Sequence, residues 1–121
     1  MPILEVEIIL RPGELLTAGL SSQIADQAAA ALAAPPGRTW VKLRTLLPDQ
    51  YAEDGANTPT SIYPVFVSVL KADPPPPDEL AAEVTRLTEA IANTCDRPSE
   101  NVHILYEPPA RGRIAFGGRL I

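Results

Sequence analysis

Pro2 directly follows the initiator methionine. Removal of a methionine ahead of so small a residue would leave proline with a free secondary amine, and an amine at the head of an apolar strand has a chemistry of its own. An ordinary α-amino group titrates at roughly 7.7–8.0, and burial disfavours the ammonium form. The neutral nitrogen would then act as a general base, taking a proton from an acidic carbon or an enol and returning it elsewhere. The opposing reading is plain: a proline in second place simply begins a strand, and a retained methionine turns its nitrogen into an amide.

Other chemistries lack their parts. His103 is the only histidine, and no nucleophile motif accompanies it. One histidine and one cysteine, without carboxylates at ligand spacing, do not make a metal site. Gly117-Gly118 lies where no helix follows, so it is not a phosphate loop. The expectation is catalysis without metal or cofactor. Fifteen acids against ten bases give a net charge of −5, which argues against a nucleic-acid partner and requires any small anionic substrate to find local cations. Lys71 ends a buried strand, Lys42 and His103 point away from the helix-facing residues of theirs, and Arg113 with Arg111 flanks Gly112 in a short hairpin. Each has a plainer reading, as a solvated lysine, a satisfied interface histidine or an inter-subunit ion pair. Tyr106 and Cys95 read as core, and Trp40 as an interface residue.

The elements that must position these groups come in two similar sets. Ile3 to Leu10 alternates as a strand with Leu4, Val6, Ile8 and Leu10 on one face. Leu16, Leu20, Ile24, Ala28 and Leu32 then mark a helix from about Glu14 to Ala34, stopped by Pro35-Pro36-Gly37. Trp40 to Leu47 is a second strand, with Val41, Leu43, Thr45 and Leu47 on one face. A loop over 49–61 follows. Val65 to Leu70 reads as a strand buried on both faces, Leu80, Val84, Leu87 and Ile91 as a second amphipathic helix, and Asn101 to Glu107 as a closing strand. A shift of 61 positions lays Val6 on Val67, Val41 on Val102 and Leu43 on Ile104.

The predicted fold is therefore α+β: a single domain over 1–121 with strand–helix–strand units at 1–48 and 62–121, a four-stranded mixed sheet, and both helices on one face. A short hairpin closes the chain. The other sheet face needs covering, most simply by oligomerisation. Glu5 and Glu7 in place of a basic leader, and the lack of a long apolar run, predict a soluble, cytoplasmic protein without membrane contact.

Pro2, and above all Asn101-Val-His-Ile-Leu-Tyr-Glu107 with the Pro108-to-Gly118 stretch, resemble the tautomerase superfamily, and the resemblance covers nearly the whole chain. The closing block is similar to the last strand and glycine-ended hairpin of oxalocrotonate tautomerase. Leu47-Pro-Asp-Gln50 looks more like macrophage migration inhibitory factor. The resemblance implies a homotrimer with sites between subunits, and Pro2 as catalytic base. It places Arg11 within one position of a carboxylate-binding arginine, Lys42 and His103 where a strand carries a second one, and Ile114 at an apolar wall residue. Related dehalogenases and decarboxylases present an arginine pair where this chain has Lys71-Ala72-Asp73, which disfavours those reactions. The expected activity is proton transfer in a small 2-oxo acid or its enol. Its rivals are a catalytically silent trimeric binding protein and, less favoured, a related decarboxylase or dehalogenase.

Overall fold

Apolar alternation fixes the first strand of the computed structural model, which describes residues 2–55 and 62–121. Strand β1 (Pro2–Ile9) buries Leu4, Val6 and Ile8 completely, and its first residue is the proline, where a missing N–H costs a sheet least. Helix α1 (Leu20–Ala31) returns the chain to β2 (Trp40–Leu46), which pairs parallel to β1. The second unit repeats the path through β3 (Val65–Lys71), α2 (Pro77–Cys95) and β4 (Val102–Tyr106). A two-stranded hairpin, β5 (Ala115–Phe116) and β6 (Arg119–Leu120), ends it. The sheet order is β2-β1-β3-β4, with β1 and β3 antiparallel at the centre and both helices packed on one face.

The internal repeat is written in the hydrogen-bond register. Glu5 pairs with Lys42 and Phe66 with His103, while Val6 pairs with Leu43 and Val67 with Ile104; each second pair is the first moved by 61. Val6 and Val67, which that shift relates, are themselves partners across the central antiparallel pair. A pseudo-twofold axis therefore passes between them.

Three sequence expectations shift. The first helix starts at Leu20, not Glu14. Gly13 and Gly19 both adopt left-handed backbone, and the Glu14 carboxylate accepts from the Arg11 backbone N–H at 2.9 Å and from Arg97 at 2.7 Å, so the intervening residues serve a loop. Leu10 and Leu47 fall outside their strands, and Leu47 is exposed. Strand β3 is buried on one face only: Val65, Val67 and Val69 meet the helices, whereas Phe66, Ser68 and Leu70 stay half-open because no layer formed by the described residues covers that side. Met1, and the part of the expected loop from 56 to 61, lie outside the described residues.

The Glu14 contact makes stability depend on pH. Hydrogen bonding from Arg97, helped by the Arg11 N–H and both cationic charges, holds this carboxyl below its ordinary value of 4.5 despite partial burial. Its folded value is depressed, so its contribution is complete above the unfolded value and is lost as pH falls through the folded one. The urea midpoint should fall on acidification below about 4.5, and Glu14→Gln should flatten that fall while lowering the midpoint at neutral pH.

Candidate active site

The two ends of the central strand pair differ in how they are filled. The 61-residue shift lays Pro2 on Tyr63, so the pseudo-twofold relates one sheet end to the other. At the Tyr63 end, the Arg97 side chain is 1% exposed. Its Nε donates to the Tyr63 carbonyl at 2.8 Å and its terminal nitrogens to the carbonyls of Ile9 (3.0 Å) and Cys95 (3.1 Å) and to Glu14. That end is plugged. At the Pro2 end a hollow of about 450 Å³ opens on the uncovered sheet face, lined by Ile3, Glu5, Lys42, Ser68, Leu70 and Arg113 among others.

Pro2 itself is buried and stands in register opposite Lys71. On the helix side of this pair the structure holds a charged group that periodicity alone hides. Glu83, only 5% exposed on α2, accepts from Lys71 Nζ at 2.9 Å and from the Tyr106 hydroxyl on β4. Burial, reinforced by the neighbouring carboxylate, pushes the Tyr106 phenol well above its ordinary value, so it stays a donor. Glu83 lies on the same stripe as Leu87, Ile91 and Cys95, four residues apart, and all four are buried. An acid on a core stripe signals a buried partner, and that was the available clue. Glu83→Ala would leave Lys71 and Tyr106 unsatisfied, at a cost of about 2–4 kcal/mol. Glu83→Gln, still able to accept from the tyrosine, should cost less. Urea denaturation of the three proteins measures both.

The sequence-predicted cations are distributed rather than gathered in one chain. Lys42 lines the hollow, and its ammonium lies 2.6 Å from Glu5 Oε1; that contact holds the Glu5 carboxyl below its ordinary value. Arg113 also lines it, with Nη2 donating to the Pro109 carbonyl at 3.1 Å and no carboxylate paired to it among the described residues. Arg111, its neighbour across Gly112, is engaged by Asp73. Lys71 is committed to Glu83 on the helix side. Arg11 follows the far end of β1, eight residues at about 3.3 Å each from Pro2, and binds Glu14 and the Asp96 carbonyl, the latter at 2.7 Å. His103 is exposed on the open face beside Phe66, with ring centroids 5.3 Å apart, but it belongs to the edge strand opposite Lys42. Three strand spacings, roughly 14 Å, separate the two edges. Ile114 is half-buried ahead of β5, where its carbonyl accepts from the Ile121 N–H at 3.1 Å.

No family model matches this sequence, and no curated protein does. Solved structures do match. Macrophage migration inhibitory factor from Trichinella spiralis superposes with a TM-score of 0.73 at 13% identity, over 98% of this chain and 99% of that one. A fused 4-OT in its symmetric trimer gives 0.72 at 15%, over 98% and 94%. Pt0534 inactivated by 2-oxo-3-pentynoate gives 0.73 at 18%, again over 98% and 94%. At these identities the likeness is one of fold, and the fold is the β-α-β architecture of the tautomerase superfamily. Among the described residues, no helix is long and apolar enough to cross a membrane.

Proposed function

We propose that this chain is a cofactor-independent tautomerase of small 2-oxo acids or their enols, working as a homotrimer with Pro2, freed of Met1, as general base. The observation that carries the reading is the position of Pro2: buried at the head of a central strand, at the one sheet end that Arg97 does not plug, beside a hollow with Lys42 and Arg113 in its wall. A neutral imino nitrogen there takes the proton from the carbon next to the 2-oxo group or from the enol oxygen, and delivers it to another carbon. The cations offset the charge that develops on the enolate oxygen. Within one chain the uncovered face exposes Trp40 and Leu105, and association of three copies would cover it; the similar fused 4-OT is a symmetric trimer. Arg11 and His103, remote from Pro2 in their own chain, would reach a site only from a neighbouring copy.

The experiment is chemical labelling. Treatment with 2-oxo-3-pentynoate, the compound that inactivates Pt0534, followed by peptide mapping, should place one adduct on the Pro2 nitrogen and abolish ketonisation of an enol substrate in proportion. An adduct elsewhere, or a native mass that retains methionine, overturns the reading. A second reading, a silent trimeric binding protein of the same fold, is favoured by one observation: Lys42 and Lys71 are already neutralised by Glu5 and Glu83. It predicts labelling without turnover.

A further inference from the structure

Among the described residues two charged side chains are buried, Arg97 and Glu83. Arg97 ties segments together at the far sheet end, whereas the carboxylate of Glu83 serves Lys71 and Tyr106. A buried ion pair adds little stability over apolar residues of similar volume, so this one calls for another use.

Its place supplies one. The Ile9 N–H donates to the Pro64 carbonyl at 3.0 Å, and bonded and unbonded pairs alternate from there along β1, which makes Pro2 and Lys71 a non-hydrogen-bonded pair. Such pairs bring Cα atoms to about 4.5 Å and the side chains closer than bonded pairs do. Pro2 points to the helix side with Leu4, Val6 and Ile8, and Lys71 does so with Val67 and Val69. The 61-residue shift lays Leu10 on Lys71, Ser22 on Glu83 and Thr45 on Tyr106, and none of the three carries a charge. The triad therefore belongs to the sheet end of the candidate base.

On the helix side the polar groups behind Pro2 are the Lys71 ammonium from β3, the Glu83 carboxylate from α2 and the Tyr106 hydroxyl from β4. Arg86, one turn along α2, is turned to the Ala31 carbonyl at 3.0 Å. On the open side stand Lys42 against Glu5, with Glu107 and Arg113 in the same wall, and the Asp73–Arg111 pair follows β3 in solvent. Neither Lys71 nor Glu83 lines the hollow, so their influence on the proline is one of charge and not of substrate contact.

We infer that Glu83 is a positioning residue for the base: by pairing with the Lys71 ammonium behind Pro2, it sets the pH at which the proline amine gives up its proton. An unpaired ammonium there disfavours a second positive charge on the amine, and an unpaired carboxylate favours it. The hydroxyl of Tyr106 donates to Glu83 and keeps it ionised when the lysine is absent. The inference rests on the reading of Pro2 as a free base.

Of the fourteen prolines, one at the head of the chain would carry an amine nitrogen, so [15N]proline labelling of the assembled protein gives a nuclear magnetic resonance titration of Pro2 that needs no turnover. Glu83→Gln should lower its midpoint by about half a pH unit or more, and Lys71→Gln should raise it by a similar amount. The double variant, which removes both charges and should fold, is expected to return to within about 0.3 pH units of the parent. The rising limb of kcat/KM for enol ketonisation should move in step. A purely structural role would lower thermal midpoints and leave the titration in place. Unmoved midpoints in both single variants, shifts in the same direction, or a Glu83→Gln shift that persists in the double variant would overturn the inference. Opposite shifts without any ketonisation would count against the tautomerase reading alone, and ketonisation with unmoved midpoints against the triad alone. A methionine retained on intact mass would overturn both.

Discussion

Keeping the Pro2 nitrogen in amide linkage should lower kcat/KM for enol ketonisation by about 10²–10⁴, the range a positioned general base supplies. One residue inserted between Met1 and Pro2, chosen so that processing leaves it in place, achieves this without touching the sheet. Pro2 begins β1, and β1 is held by β2 over residues 3 to 9 and by β3 over residues 2 to 8 whatever precedes it. The thermal midpoint should therefore stay within a degree or two while the rate collapses. Pro2→Ala is a different test: it keeps a primary amine in place of the proline secondary amine, so its rate should fall less. In the parent, kcat/KM should rise with pH as the amine loses its proton, and in the blocked form that rise should vanish. Full activity in the blocked chain would leave the fold without its base.

What the sequence made legible followed from short-range periodicity. The alternation of Leu4, Val6 and Ile8, the apolar run at Val65–Leu70, and the helical spacing of Leu87 and Ile91 carried the elements, and the 61-residue shift carried the topology down to register. Elements misjudged at their ends were those whose boundaries depend on partners distant in sequence. Glu14 scores as a helix residue until Arg97, 83 residues on, claims it. For the proposed site, the sequence marks a candidate base and candidate cations but not how the cations are paired, because type and strand position do not reveal pairing. Lys71 looks free in sequence and is bound to Glu83.

Arg97→Met is expected to destabilise the fold by about 3–5 kcal/mol, because removing one partner of a buried charged network leaves the others desolvated and unpaired. The guanidinium reaches the end of β1 through the Ile9 carbonyl, the segment before β3 through Tyr63, the end of α2 through Cys95, and the loop before α1 through Glu14. Four segments lose their common tie together. For a domain of this size, each kcal/mol corresponds to roughly 3–5 °C, so the thermal midpoint should fall by roughly 10–20 °C. Arg97→Lys should recover only part, since an ammonium has the charge but not the planar fork that spans these acceptors. A double-mutant cycle with Glu14→Ala separates the ion pair from the carbonyl contacts. If the plug acts mainly on the backbone, Arg97→Met should remain severe in the Glu14→Ala background; if the pair dominates, the second substitution should cost little. Because this network lies at the sheet end away from Pro2, labelling of Pro2 by 2-oxo-3-pentynoate should persist in Arg97→Met at temperatures where the chain is still folded, which ties the loss to stability and not to the candidate site.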